Sequence, residues 1–415
     1  MIKSAAFGVG LQIVPSLLAF YLFYLLNLQE VDSKSVVPFY IVGLLNLIKG
    51  FGEFGIVRSF TTSFASTGKA PYVFHLFFSL TTTLFIICEI ILICLFVNGY
   101  LGLSLFLLMS LGLLLYFQLF DALLISLGKE KLAFFFDALF YSGFYLFGIY
   151  YFGGYESSSY YNVLSIYITI FFIIKVFFCY QNNYNLKLIF PINFNKTHKE
   201  DFIDNLKISV NLVLFKQVDR FVLLSLMPSY YIAFVNVFNQ FFNKICLFGT
   251  YYSRLMLVVF SEKKSTTKDF FKKSILFESY ILLTVLLSVF LKNYILQFLN
   301  INGVEYLWVY TLLLLTVSYN VCVRYYRAYI IGSGDVKYLV KVDFFAVIIG
   351  LFVGLLLFFF GSHFLYYAGP FLFFLIIYFR CFLYIIRNVG FSLYGYIAIL
   401  VFHLTRLALC AYSLV

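Results

Sequence analysis

Lys49, Lys216, Arg220 and Lys244 each sit well inside an apolar run long enough to cross a membrane. A cation at bilayer depth costs about 2.5–3.5 kcal/mol on insertion scales. Four of them facing lipid would oppose insertion by roughly 10–14 kcal/mol, so they must face protein or a wet cavity. A cavity lined with fixed positive charge attracts anions, which points to transport of something carrying phosphate or carboxylate.

Each cation has polar company. Lys49 lies four residues before Glu53, among Gly43, Gly50, Gly52 and Gly55, which thin the helix enough for close packing or backbone approach of a ligand. Lys216, Gln217, Asp219 and Arg220 crowd one and a half helical turns. Asn236, Gln240, Asn243 and Lys244 follow a three/four spacing and form one polar stripe. The four cations face Glu53, Glu89 and Asp219, a slightly positive balance that suits an anion better than an organic cation. An opposing reading pairs Lys49 with Glu53, and Asp219 with Lys216 or Arg220, as ties between helices. Lys244 has no acidic neighbour in its own helix. Glu89 stands alone and reads as a protonated, hydrogen-bonded carboxyl, with a proton-coupling group as the alternative. His75, His363 and His403 are isolated and read as structural, and Pro15 and Pro370 are expected to kink their helices.

The elements that carry these residues are transmembrane helices. Hydrophobic residues make up 63% of the 415-residue chain and charged residues 11%, against roughly 25% charged in soluble domains. Apolar runs of this length, without two-residue alternation, mean helices rather than a barrel. The spacing predicts twelve spans: 4–28, 36–56, 72–97, 101–127, 132–152, 160–180, 203–227, 231–256, 274–299, 304–322, 338–360 and 364–386. The first reads as an uncleaved span, too long for a signal h-region. A further run, 391–414, is either a thirteenth span or a segment packed at the interface. The seven cysteines all lie in apolar runs without Cys-x-x-Cys spacing, so neither a disulfide framework nor a zinc site is expected.

Charge alternates between the connections. One set carries 22 of the 29 Lys plus Arg, including Lys175 and Arg327, and the opposite set only Lys34 and Lys292. The positive-inside rule then puts the N-terminus in the cytoplasm. The net charge of +11 is thus mainly a topology signal, and no basic soluble domain exists to bind nucleic acid. No phosphate-binding glycine loop, H-E-x-x-H or soluble hydrolytic domain appears, so no cofactor and no enzymatic activity is expected.

An internal echo organises the spans. At a constant offset of 206 residues, Ala122/Ala328, Ile125/Ile331, Gly128/Gly334, Lys131/Lys337 and Asp137/Asp343 coincide. Both copies lie at turns six spans apart, which makes a parallel repeat of two six-helix lobes. Two similar tight turns, each with glycine at a helix end, would produce the same match. The expected organisation is a first lobe over 1–180, a linker over 181–202, a second lobe over 203–387 and an extra hydrophobic segment over 388–415.

The layout resembles the polysaccharide-repeat-unit flippases of bacteria, the Wzx-type O-antigen translocases of the multidrug/oligosaccharidyl-lipid/polysaccharide exporter superfamily. Gly52-Glu-Phe-Gly-Ile-Val-Arg58 resembles the glycine-rich end of that family's second span, Gln217-Val-Asp-Arg220 its seventh-span polar motif, and Ile331-Gly-Ser-Gly334 the turn after its tenth span. The similarity covers nearly the whole length, carried more by layout than by any signature. It implies an all-α, V-shaped pair of bundles in the bacterial inner membrane that opens alternately to each side. It also implies a cargo of undecaprenyl-pyrophosphate-linked oligosaccharide, its lipid tail left in the bilayer, with a polysaccharide polymerase and a chain-length regulator as candidate partners. Lys49, Lys216, Arg220 and Lys244, with Gln217, Gln240 and Asn243, are the expected substrate contacts; Glu53, Asp219 and Glu89 are expected to pair charge or couple transport. The competing readings are a cation-coupled multidrug exporter of the same fold, an unrelated twelve-span carrier of organic anions, and a membrane-embedded polysaccharide polymerase or ligase. The exporter calls for an acidic cavity and the polymerase for a large outside loop, and the sequence offers neither.

Overall fold

A computed structural model describes residues 2–28, 56–68, 70–97, 104–152, 157–189, 199–200, 202–208, 210–211, 215, 235, 238–239, 241–243, 246–262, 267–298, 304–361, 363–389, 393–412 and 414. Among the described residues all regular structure is helical. Chains this apolar must satisfy their backbone groups within each segment, and only helices do that without closing a barrel.

The chain divides into two compact units, Gly10–Val213 and Leu214–Val415 together with Met1–Val9. Helix α1 is Ile2–Leu11, and the first unit continues with α2 (Ile13–Leu28), α3 (Val57–Ser66), α4 (Pro71–Val97), α5 (Leu105–Gly112), α6 (Leu114–Ser126), α7 (Glu130–Phe152) and α8 (Ser157–Gln181). The second unit contains α9 (Leu247–Ser261), α10 (Thr267–Phe298), α11 (Val304–Gly332), α12 (Val336–Phe360), a 3-10 turn at His363–Tyr367, α13 (Ala368–Val389) and α14 (Leu393–Tyr412). Eight described segments are long and apolar enough to cross a membrane; 3–19 and 397–412 are shorter apolar helices.

Local chemistry sets the interruptions. The break between α1 and α2 falls at Gln12, just where the ring of Pro15 would crowd the carbonyl of Leu11. Pro370 does not kink its helix: it lies in the first turn of α13, where a missing N–H costs nothing. Ser104 caps α5, its side chain accepting from Leu107 N at 3.2 Å. Between α5 and α6, Leu113 N turns back to Ser110 O and Tyr116 N to Leu113 O, both at 3.1 Å, so the helix tightens for one turn.

The repeat is visible in hydrogen bonds. Gly128 N donates to Ile125 O at 3.0 Å and Lys129 N to Leu124 O at 2.8 Å. Gly334 N donates to Ile331 O at 3.1 Å and Asp335 N to Ile330 O at 3.2 Å. Both are Schellman caps, displaced by 206 residues, with glycine in the left-handed region at φ 79° and 92°. Each turn launches the next helix from an equivalent residue, Glu130 or Val336.

One expectation about a helix end fails. The tenth span does not stop at Cys322: α11 continues to Gly332, with Arg327 paired to Asp343 inside the bundle. The segment after residue 390 forms a helix packed in the second unit. At 20 residues, α14 is about 30 Å long, and it packs along α10 with Arg406 fully buried.

Candidate functional site

Lys49, Glu53, Lys216, Gln217, Asp219, Arg220, Gln240 and Lys244 lie outside the described residues. Asn243 and Glu89 lie within them. Asn243 is exposed, and its side-chain amide donates to Asn239 O at 2.6 Å. On the same helix, Phe238 and Phe242 are buried and meet the Tyr310 ring edge-on at centroid distances of 5.0 and 4.9 Å. The aromatic face therefore fastens this helix to α11 and leaves Asn243 on the open side. Phe215, immediately before Lys216, stacks on Phe373 of α13 at 4.1 Å.

The structure also reveals three ion pairs between helices that the sequence reading did not assign. Lys175 on α8 pairs with Asp121 on α6, the lysine being 2% exposed and lying 5.0 Å from the Phe117 ring centroid. Arg327 on α11 pairs with Asp343 on α12, both essentially inaccessible. The sequence pattern places both cations among those of the cytoplasmic connections, and each is paired within its own unit. Under the 206-residue offset, Asp121 corresponds to Arg327, Asp137 to Asp343 and Lys175 to Cys381. Each unit thus holds one cation–anion pair at this stage of the repeat, with the partners on different helices. In the first unit Asp137 also accepts from Gln12 Nε2 at 3.2 Å.

The third pair, Arg406 of α14 with Glu278 of α10, is fully buried. Tyr326 and Tyr378 donate to Glu278 Oε1 at 2.8 and 3.0 Å, and the Cys322 thiol approaches Oε2 at 3.6 Å. The Arg406 guanidinium lies 4.9 Å from the Tyr319 ring centroid, and Tyr319 hydrogen-bonds His403. A charge pair taken out of water holds only when its remaining donors and acceptors are met, and Glu278 has three such contacts besides the arginine. Residues from α10, α11, α13 and α14 make this cluster, so it ties α14 into the second unit.

Glu89, on α4, is the opposite case. It is 8% exposed, yet neither carboxyl oxygen has a hydrogen-bond partner. Its carboxyl lies against Gly112, where a Cβ would fall 2.0 Å from Oε1. The hydrogen-bonded carboxyl expected from the sequence is not what the structure shows.

Among the described residues no group of three or more His, Cys, Asp or Glu could hold a metal ion, and all seven cysteines are free. Of the expected contacts, the described residues include Asn243, exposed beside the buried Phe238 and Phe242.

No family model matches the chain, and no curated protein matches it by sequence. Solved structures do match. A mutant form of VcmN, a MATE transporter of Vibrio cholerae, superposes with a TM-score of 0.69 at 12% identity, covering 94% of this chain and 98% of that one. A MOP superfamily transporter from Pyrococcus furiosus, described as having a binding pocket of reversed polarity that suggests a different function, gives 0.66 at 10% identity over 94% and 96%. The outward-facing form of a multidrug resistance MATE family transporter gives 0.65 at 11% identity over 94% and 96%. All three are transporters. The chain has the MATE-like helical fold, with eight described segments long and apolar enough to cross a membrane.

Proposed function

We propose that this protein flips undecaprenyl-pyrophosphate-linked oligosaccharide repeat units from the cytoplasmic to the periplasmic leaflet of a bacterial inner membrane, with its N-terminus in the cytoplasm. The observation that carries the reading is the excess of mid-span cations, Lys49, Lys216, Arg220 and Lys244, in a chain with the fold of MOP transporters. A pyrophosphate brings about two negative charges, and charge-assisted hydrogen bonds to lysine and arginine are the strong ones in a dry site. Gln217, Gln240 and Asn243 then supply neutral donors and acceptors for the sugars. The exposed Asn243, beside the buried Phe238 and Phe242, supports this. The lipid tail stays in the bilayer while the two units alternate in exposing the headgroup.

Deleting the gene and following lipid-linked intermediates tests the reading. Repeat units are expected to accumulate on the cytoplasmic side, with loss of surface polysaccharide. Normal surface glycan together with new sensitivity to organic cations would instead favour the cation-coupled exporter, a reading supported by the multidrug transporter among the similar structures.

A further inference from the structure

Of the eight described segments long and apolar enough to cross a membrane, α12 is the least buried. Its exposed face changes character along its length. Lys337 and Lys341 are exposed in the first two turns, and Phe344, Phe345, Ile348 and Phe352 follow, each at least half exposed. At 3.6 residues per turn these positions share one face about 100° wide. That face runs from two ammonium groups to a stripe of apolar side chains, the order of parts in a phospholipid.

The antiparallel helix beside it brings more cations to the same end. Arg380, Leu383 and Arg387 are exposed on one face of α13. Tyr338 of α12 donates to Arg380 O at 2.8 Å, and its ring lies 4.8 Å from that of Tyr384. Both guanidinium charges act on the Tyr338 hydroxyl. Lys341, Arg380 and Arg387 make no ion pair among the described residues. The acids of these two helices are engaged elsewhere: Asp335 accepts from Tyr384, and Asp343 is buried with Arg327.

Membrane orientation alone does not call for this cluster. Positive charge in the connections is enough to set topology, and the first unit manages without cations on the matching faces. At the 206-residue offset, Tyr338, Lys341, Arg380, Tyr384 and Arg387 correspond to Leu132, Phe135, Ile174, Phe178 and Gln181. Lys337 alone among them has a basic counterpart, Lys131. A cation on a lipid-facing surface is costly unless its head meets water or an anion. Arg380 and Arg387 stand about 10 Å apart along the helix. The cluster therefore reaches through a headgroup layer roughly 5–8 Å thick to the edge of the acyl chains.

We propose that the cytoplasmic end of α12 and α13 is a binding site for an anionic phospholipid of the bilayer, separate from the transported cargo. The phosphodiester sits between Lys341 on one helix and Arg380 and Arg387 on the other, held by charge-assisted hydrogen bonds. An acyl chain lies along Phe345 and Phe352. The site belongs to the second unit and stands whether or not the flippase reading does.

Native mass spectrometry tests this without any cargo. The purified full-length protein in neutral detergent is titrated with phosphatidylglycerol or with phosphatidylcholine. The wild type is expected to retain phosphatidylglycerol at about tenfold lower concentration, as a few basic residues at a membrane surface allow. Replacing Lys341→Gln, Arg380→Gln and Arg387→Gln together is expected to abolish that preference; these side chains are exposed, so helical content by circular dichroism should not change. Replacing Lys131→Gln, Lys272→Gln and Lys273→Gln together removes the same charge elsewhere and is expected to leave the preference intact. A preference that survives the first set, or disappears equally in the second, overturns the proposal. So does displacement of the bound lipid by millimolar inorganic phosphate, which would mean a site for a free anion that makes no use of the apolar stripe.

Discussion

The two units solve the same packing problem with different residues. In the second, α12 and α13 approach backbone to backbone: a Cβ on Gly369 would fall 2.4 Å from Gly350 O and 2.7 Å from the Gly354 Cα. Gly350 and Gly354 form the small-xxx-small spacing that lets membrane helices meet closely. In the first, the equivalents are Phe144, Gly148 and Val163. There Tyr167 fills the corresponding gap between α7 and α8, its hydroxyl donating to Leu139 O at 2.8 Å. The second unit also gains α14 and its buried ion pair, and the first leaves Glu89 bare. The lesson is that one duplicated frame carries a unit knitted by close backbones and saturated charge, and another packed by side chains around a carboxyl without a partner.

Breaking the saturated cluster gives the largest expected effect. Arg406→Ala strands Glu278 in the core of the second unit and is expected to cost about 3–5 kcal/mol, seen as loss of folded protein in detergent thermal unfolding. Replacing both members together, Arg406→Leu with Glu278→Leu, is expected to recover most of that loss, since an apolar pair of similar volume avoids burying charge. If the double replacement is no better than the single, the pair is not isolated from the rest of the bundle as described.

The ion pairs at the repeated level come next. Lys175→Ala and Arg327→Ala each remove the cation of an ion pair inside a unit and are expected to cost roughly 3 kcal/mol, with the Arg327 effect the larger because Asp343 has no exposure while Asp121 has 13%. Equal effects would say that the two units tolerate unpaired charge alike.

Glycine contacts sharpen the packing contrast. Gly369→Ala forces a methyl into backbone and is expected to cost about 1–3 kcal/mol. Gly148→Ala meets only the Leu22 side chain, at 2.9 Å, and is expected to cost less than about 1 kcal/mol. The smallest effect is expected at Glu89. Glu89→Gln exchanges one unpartnered buried group for another of the same size and should change stability far less than Glu278→Gln, which breaks a buried ion pair.

What the sequence discloses is what is local. Span-length apolar runs, glycine at Gly128 and Gly334 and the matching Asp137 and Asp343 are all readable, because a helix and its cap are determined within a few residues. The ion pairs are not local. Asp121 and Lys175 stand 54 residues apart and Glu278 and Arg406 128 apart, so no spacing rule joins them. Lys175 and Arg327 also fall near span ends, where a cation ordinarily marks topology, and that more common role concealed them. Arg406 lies in a run with an open choice between span and interface, which left its charge without an obvious partner. Of the expected substrate contacts, Asn243 is exposed, while the cations, outside the described residues, rest on charge counting.

The most direct test of the central claim is flipping in reconstituted vesicles. Lipid-linked oligosaccharide placed in both leaflets is assayed by its accessibility to an added membrane-impermeant glycosidase. The account predicts that the wild-type protein exposes the inner-leaflet pool, and that Lys216→Ala with Arg220→Ala inserts normally but leaves that pool protected. Full exposure by the double variant, or none by the wild type, would contradict it.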